Sequence, residues 1–289
     1  MGSRPIVPFL RSGHIEEVRS DRDDMARLLR THEPPLDRAA LLVARDARPE
    51  LDIEAYLARL DAMAEPVAQA LRSAPSPAAQ AEILAARLGR DLGLAGNTEV
   101  YYDARNSYLD QVIDRRLGIP ISLAAVWIAV GRRAGVTVDG VGFPGHFLAR
   151  VGGPEGVYVD AFAGGRVLAK ADLAALARQF LGTSGSVRPD HLAPVPTRAI
   201  IVRMLLNLKL IHEQRRDHAS ALVACDRLVD LVGSAEQRRD RGLHALALGA
   251  VEAADADLRA YLAARAGAPD VAAIEATLAR AMRAPRVAN

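Results

Sequence analysis

The segment ISLAAVWIAVGRRAG, residues 121–135, constrains the fold most, because its first ten residues are almost wholly apolar. A helix that is apolar all round is a buried helix, since no polar face is left for solvent. Gly135 stands at the end of the pattern, where glycine commonly closes a helix. The sequence therefore predicts a central helix that is buried on most sides.

Three short runs follow this helix: VTVDGVGF, HFLARV and VYVDAF. They are rich in β-branched and aromatic residues, and glycine and proline separate them, which is typical of short strands joined by turns. A central helix packed on a small antiparallel sheet is the expected arrangement. We therefore predict an α+β fold that is mainly α-helical.

Helical patterns occupy the chain on both sides of this middle part. The segments LDRAALLVARDARPELD, IEAYLARLDAMAEPVAQAL and PAAQAEILAARLGRDLGL are amphipathic and predict a leading helical bundle, and YLDQVIDRRLG predicts a helix closed by Gly118. Residues 1–33 show no sustained period and are expected to be an extended lead-in. Beyond Pro194 the sequence predicts a helical repeat with helices near 197–213, 217–230, 234–247, 251–264 and 269–282.

Charge and cysteine content narrow the class of protein. The 37 basic and 35 acidic residues are spread along the chain, so the pI of about 8.9 gives little support to nucleic-acid binding. No apolar run reaches the roughly 18–20 residues of a membrane span, so no membrane association is expected. The one cysteine, Cys225, excludes an internal disulfide and fits a reducing compartment. We expect a cytoplasmic protein.

The stretch from Gly96 to Arg150, with the phrases NSYL, RRLGIPISL and GVGFPGHFL, resembles the transglutaminase-like core of the SirB family. The segments RMLLNLKLIH and RRDRGLHALALGAVEAADADLRAYL resemble that family's closing tetratricopeptide-like repeats. The resemblance implies a papain-like core with a small antiparallel sheet. It divides the chain into a lead-in, a helical bundle segment, a transglutaminase-like core and a repeat tail, at residues 1–33, 34–95, 96–194 and 195–289.

The resemblance also implies a catalytic arrangement: a nucleophilic cysteine at the start of the central helix, and a histidine and an aspartate on neighbouring strands. His146 and Asp160 match the last two positions. The usual cysteine position falls near Pro120, however, and the nearest hydroxyl belongs to Ser122. Cys225 lies far away in the repeat tail and is expected to behave as an ordinary thiol.

Each matching residue has a structural alternative. His146 is either the base of a triad or a hydrogen-bonded relic of one. Asp160 either fixes the tautomer of that histidine or caps the turn into AGG. Ser122 is either the nucleophile or a capping residue in the first turn of the central helix.

Two further residues are candidate binding residues. Asn106 either lines a site or begins the helix that carries DQVIDRR by accepting a backbone N–H. Arg116, near the end of that helix, either binds an acidic group or is solvated. Four histidines show no metal-ligand spacing with one another or with Cys225, and no glycine-rich phosphate loop follows a strand, so neither a metal nor a cofactor is expected. These histidines are His191, His212, His218 and His244.

Two functions follow from these patterns. The first is a non-catalytic scaffold or regulatory protein with a degenerate transglutaminase-like core, which binds a protein or peptide partner through its repeat tail. The missing cysteine favours it. The alternative is a papain-like-class amide hydrolase or acyl transferase that uses Ser122, His146 and Asp160. This enzyme hypothesis requires Ser122 to lie within hydrogen-bond reach of His146. The oligomeric state is left open.

Overall fold

The structure, a computed structural model, describes residues 24–283. These residues form two compact units: residues 27–204, which we call the core unit, and residues 205–283 with 24–26, which we call the repeat unit. Most of the predicted lead-in, residues 1–33, lies outside the described residues. The fold is mainly helical with small sheets, as the sequence predicts.

The core unit begins with three helices, α1 (Leu36–Ala47), α2 (Ile53–Leu71) and α3 (Pro77–Leu84), and a π-helical segment, Ala85–Asp91, continues from α3. Side-chain caps fix two of the starts: Asp52 accepts the backbone N–H of Ala55, and Ser76 accepts that of Ala79. These helices correspond to the three amphipathic segments.

The central helix is α5 (Pro120–Arg133), and every residue from Pro120 to Gly131 is buried. Gly135 takes a positive φ of 85° just after its end, as expected of a glycine that closes a helix. Gly131 allows close packing on the sheet, because a Cβ there would lie 2.3 Å from a methyl carbon of Val138. The predicted buried helix is confirmed.

The helix before it, α4 (Leu109–Arg115), is shorter than predicted. It ends at Arg115 rather than at Gly118, because Arg116 adopts the left-handed conformation with φ 60°. The residues that follow form a short strand instead. This strand, β2 (Leu117–Gly118), pairs in parallel with β1 (Ala95–Gly96).

The second sheet of the core unit has four antiparallel strands in chain order. They are β3 (Val138–Val141), β4 (Leu148–Val151), β5 (Val157–Asp160) and β6 (Arg166–Leu168). The first three match the predicted runs. The fourth strand and the helix after it, α6 (Lys170–Leu181), were not predicted: the strand is only three residues long, and α6 buries only Leu173 and Ala177.

The predicted repeat helices are present with bounds close to those expected. They are α7 (Thr197–Gln214), α8 (His218–Leu231), α9 (Ala235–Ala247), α10 (Val251–Ala264) and α11 (Val271–Arg283). Side chains of α10 and α11 form one apolar cluster, with Tyr261 and Ile274 among its members. Within residues 24–283, no helix combines the length and the apolar character that a bilayer crossing requires.

Candidate functional site

His146 and Asp160 lie together at one edge of the four-stranded sheet. His146 comes two residues before β4, in a turn closed by its own backbone N–H, which donates to the Phe143 carbonyl over 3.0 Å. Asp160 is the last residue of β5, which pairs with β4. Because these strands are antiparallel, the start of one meets the end of the other. The structure places His146 Nε2 3.0 Å from Asp160 Oδ2.

The short distance between these atoms is not a well-aligned hydrogen bond. His146 Nε2 is buried and its ring N–H has no hydrogen-bond partner, although the aspartate oxygen is close enough to be one. The N–H is not aligned with the carboxylate oxygen, and hydrogen bonds weaken steeply when bent. The two side chains are 10% and 12% exposed. They form a close polar contact rather than an aligned base and orienting group.

Asp160 also caps the turn that follows its strand. Its Oδ1 accepts the backbone N–H of Phe162 over 3.0 Å and that of Ala163 over 3.2 Å, while Oδ2 faces His146. The turn-capping alternative is therefore observed on Oδ1, while Oδ2 only lies close to the histidine. The turn bonds hold the carboxylate in place whether or not the histidine is used chemically.

Ser122 occupies the first turn of α5 and is completely buried. Its Oγ donates to the Asn106 carbonyl over 2.5 Å and accepts the backbone N–H of Ile119 over 3.1 Å. A hydroxyl has one proton to donate, and here that proton is directed at a backbone oxygen. Ser122 has no hydrogen bond to His146, so the structure does not bring the proposed nucleophile and base together.

Asn106 does not begin the DQVIDRR helix, in contrast to the expectation. It ends a 3-10 turn, and Tyr108 precedes α4 instead. The Asn106 amide donates to the carbonyls of Val100 and Tyr101, over 2.7 and 3.1 Å, and its oxygen accepts from Arg115. Asn106 is fully buried, so its side-chain amide makes its hydrogen bonds with these interior groups and does not cap α4.

Arg116 lies at the end of α4 with an exposed side chain. Its left-handed backbone conformation ends the helix. Arg115 points instead to the buried Asn106 oxygen, over 3.1 Å. The two neighbouring arginines are therefore separated: one supports a buried network and the other faces solvent.

Cys225 is buried in the repeat unit, and burial raises the pKa of its thiol to about 12. The expectation of an ordinary thiol is therefore wrong, because burial removes the water that would stabilise the thiolate. Among residues 24–283, no group of three or more histidine, cysteine or acidic side chains is placed to hold a metal ion.

Comparison with known proteins agrees with this architecture. A family model described as the transglutaminase-like superfamily matches residues 54–206. The chain belongs to the transglutaminase-like superfamily. A tetratricopeptide-repeat model matches residues 208–279 of this transglutaminase-like protein, which lie in the repeat unit.

The relatives of this transglutaminase-like chain match very different shares of its length. A UPF0162 protein of Xylella fastidiosa is 42% identical over 239 residues, which cover 79% of this chain and 83% of the relative. The UPF0162 protein of Pseudomonas aeruginosa is 29% identical over 73% of this chain and 78% of its own length. Human F-box only protein 21 is 42% identical over 86 residues, 27% of this chain and 14% of that protein. No solved structure matches the chain.

The transglutaminase-like core contains one nearby residue that the sequence reasoning missed. Arg203, from α7, donates through Nη2 to the His146 carbonyl over 2.9 Å. Its position 57 residues beyond the histidine gave no sequence signal. Two aromatic residues near the site, Tyr101 and Tyr102, carried a weak signal, because adjacent tyrosines are unusual in a chain with only 4% aromatic residues.

Proposed function

We propose that the chain is a non-catalytic scaffold or regulatory protein of the kind that the SirB resemblance implies. The observation that carries this proposal is the state of Ser122, the hydroxyl nearest to the usual cysteine position. The hydroxyl is fully buried, and its proton is directed at the Asn106 carbonyl rather than at a base. A serine needs an aligned base to act as a nucleophile, so this arrangement favours binding over catalysis.

The repeat unit supports a binding role. Tetratricopeptide-type helices stack into extended surfaces that commonly hold a peptide or a protein segment. We propose that the partner is a protein or peptide, and that no nucleic acid, metal or cofactor is required. The lone buried cysteine fits a reducing compartment, and on that ground we propose a cytoplasmic location.

One observation favours a second candidate function, an amide hydrolase or acyl transferase. His146 Nε2 and Asp160 Oδ2 lie 3.0 Å apart, within the distance of a base and its orienting group, although the N–H is not aligned with the oxygen. For this function Ser122 would have to leave the Asn106 carbonyl and reach His146. The second candidate therefore requires a rearrangement of the first turn of α5.

Covalent labelling of the intact protein tests the two candidates. We expect a serine-reactive fluorophosphonate to leave Ser122 unlabelled, because its hydroxyl is enclosed and lacks a base. The variant Pro120→Cys tests whether an electrophile reaches the buried amino end of α5, where a thiol gains thiolate character from the helix dipole. We expect iodoacetamide to label it much faster than the buried Cys225, as mass spectrometry of the modified peptides would show.

The catalytic outcome has a distinct signature. Rapid labelling of Ser122 in the unmodified protein, with loss of that labelling in His146→Ala, would make His146 a working base and overturn the scaffold proposal. The fluorescence of Trp127, a fully buried core residue, verifies that each variant remains folded.

A further inference from the structure

A continuous row of aromatic rings runs through His146. The ring centroids are 5.3 Å apart between Tyr102 and Tyr101, and 6.0 Å between Tyr101 and Phe162. His146 lies 6.2 Å from Phe162 on one side and 6.2 Å from Phe180 on the other, nearly parallel to the latter at 13°. We call these five residues the aromatic row. It joins the loop before α4, the sheet edge and α6 within the core unit.

Three members of the aromatic row face solvent. Tyr101, Tyr102 and Phe180 are 41%, 56% and 41% exposed. The chain has only six tyrosines and five phenylalanines, so the concentration of aromatic surface at this place is marked. Exposed aromatic side chains that lie together are typical of binding surfaces, because they offer large contact areas at a low cost in side-chain entropy.

Hydrogen bonds from two buried asparagines fix the backbone of the loop that carries the two tyrosines. Asn97 Oδ1 accepts the backbone N–H of Val100 over 3.0 Å, and its amide donates to Asn106 over 3.1 Å. Asn106 in turn donates to the carbonyls of Val100 and Tyr101. Both asparagines are buried. The tyrosines are therefore presented by a fixed backbone, which lowers the ordering cost of binding.

Arg203 places a positive charge beside this row. Its guanidinium carbon lies 5.3 Å from the centroid of the Phe147 ring, and its Nη2 donates to the His146 carbonyl. Burial lowers the pKa of Arg203, and no carboxylate among the described residues pairs with it. Other half-buried arginines of the core unit have aspartate partners: Arg48 with Asp110, Arg133 with Asp37, and Arg150 with Asp139. The charge of Arg203 is left without such compensation.

We propose that the aromatic row and Arg203 form a docking site for an acidic segment of a partner protein. A glutamate or aspartate side chain pairs with Arg203, and a neighbouring apolar side chain packs on Tyr101, Tyr102 or Phe180. A buried guanidinium gains most from a carboxylate, which it can bind through two N–H groups. A single cation beside aromatic rings fits one carboxylate better than a phosphate backbone, which is bound by several cations. This site rests on the proposed function, in which the chain binds a protein partner.

An array of short peptides, probed with the intact labelled protein, tests the proposal. Each peptide is acetylated and amidated and has a central glutamate flanked by leucine, phenylalanine or serine. The matched controls replace glutamate by glutamine. We expect the glutamate peptides with apolar flanks to bind at least about tenfold more tightly than their glutamine partners, as the loss of one charge-assisted pair predicts.

Protein variants connect that preference to the site. We expect Arg203→Met to abolish the preference for glutamate, and Tyr102→Ala to weaken all apolar-flanked peptides several-fold. Arg72→Met is the matched control, because Arg72 is exposed and lies outside the aromatic row. It should bind like the unmodified protein. Trp127 fluorescence checks folding, and Tyr102→Ala keeps the test decisive if Arg203→Met unfolds, since the Tyr102 side chain is mostly exposed.

Four outcomes overturn the docking site: no peptide binding, equal affinity for glutamate and glutamine peptides, a glutamate preference that Arg203→Met retains, or an Arg203-dependent affinity for single-stranded oligonucleotide that exceeds that for peptides. The labelling of Ser122 is independent of all four. An unlabelled Ser122 with no glutamate preference would remove this site and leave the scaffold proposal standing. A labelled Ser122 would remove the scaffold proposal directly.

Discussion

The two units of the chain bury their polar groups in different ways. In the core unit, the buried Asp37 and Asp110 are met by Arg133 and Arg48, whose side chains are still 24% and 26% exposed. In the repeat unit, Arg241 is itself 2% exposed and is bound on both sides by aspartates. The comparison teaches that the arginines of these two core pairs keep contact with water, whereas the repeat unit encloses arginine side chains almost completely, Arg227 at 3% exposed as well as Arg241.

The chain also carries one natural probe in each unit. Trp127, the only tryptophan, is fully buried in α5 of the core unit, and Cys225, the only cysteine, is fully buried in α8 of the repeat unit. Tryptophan fluorescence therefore reports on the core unit, while reaction of the thiol with a disulfide reagent reports on opening of the repeat unit. The two units can be compared in one intact protein.

We expect the largest effect from Arg241→Met, which removes the guanidinium that bridges the buried Asp226 and Asp257. Arg241 donates to Asp257 through two nitrogens, over 2.6 and 2.7 Å, and to Asp226 over 2.6 Å. Breaking a buried pair on one side costs about 3–5 kcal/mol, because the remaining carboxylates stay desolvated. The expected result is much faster reaction of Cys225, measured at constant pH.

Arg259→Met is the matched control for this experiment. Arg259 pairs with Asp255 one helical turn away, and both side chains lie at the surface of the same unit. Exposed pairs of this kind are screened by water and contribute little. Equal Cys225 reaction rates in the two variants would contradict the view that the buried network holds the repeat unit together.

The burial of Arg241 could not be predicted from the sequence, although the helix that carries it could. The repeat helices followed from periodicity, and their predicted bounds lie within a few residues of the observed ones. The segment AEQRRDRGLHALA, however, contains Arg238, Arg239 and Arg241 close together, and its composition does not distinguish the one that is buried. Burial of a particular arginine depends on aspartates supplied by α8 and α10, which only the folded arrangement brings near.

In the core unit the sequence predicted the elements better than the contacts. The apolar segment gave the buried central helix, and the family resemblance indicated His146 and Asp160, which lie 3.0 Å apart. The direction of the Ser122 hydroxyl could not be predicted, because it depends on the Asn106 carbonyl 16 residues away. Asn106 accepts this hydrogen bond through its backbone carbonyl, which every residue type has, so the sequence carries no signal for the contact.

The next largest effect is expected in the core unit, from Gly145→Val. Gly145 has φ 68°, and a Cβ at this position would lie 2.2 Å from a ring carbon of Phe180. Left-handed backbone costs roughly 1–2 kcal/mol for other residues, and the overlap with Phe180 adds to it. We expect a loss of about 2–3 kcal/mol in denaturation followed by Trp127 fluorescence.

Two variants separate the causes of this loss. Gly153→Val meets nothing within 4 Å at φ 78°, so it measures the backbone strain alone. His146→Ala should cost less than Gly145→Val, because the histidine side chain makes no aligned hydrogen bond. A greater loss for His146→Ala would show that the histidine, rather than its neighbouring glycine, holds this turn.

A smaller loss of stability is expected at acid pH, and it should arise from two buried histidines of the repeat unit. Burial lowers the pKa of His212 and of His244 below the ordinary value of 6.5. The unfolded chain then binds protons more readily than the folded one, so stability rises with pH in this range. These two histidines therefore leave the free energy of unfolding unchanged above pH 6.5, and they lower it as the pH falls below that value.

Melting of the helical circular dichroism signal at pH values on either side of 6.5 measures this loss. The double variant His212→Gln and His244→Gln should have a flatter pH dependence, although His244 also contacts Glu213 over 3.1 Å and His218 over 3.2 Å. An identical pH dependence in both proteins would assign the acid sensitivity to other groups.

The smallest effect is expected from the coupling of His146 to Asp160, and it is the sharpest test of the comparison. We compare two double-mutant cycles, one with His146→Ala and Asp160→Asn and one with Arg241→Met and Asp257→Asn. Each cycle measures the coupling free energy of one close polar contact. The amide of Asp160→Asn preserves an oxygen for the turn, where Phe162 and Ala163 donate. The misaligned N–H of His146 predicts a coupling below about 1 kcal/mol, whereas the two-nitrogen contact of Arg241 predicts several times more.

Denaturation of the intact protein measures both cycles, with Trp127 and Cys225 as the separate probes. A coupling in the core as large as that in the repeats would mean that the His146–Asp160 pair is still held as a working pair, and the burial of Ser122 would then be the one remaining structural argument against catalysis.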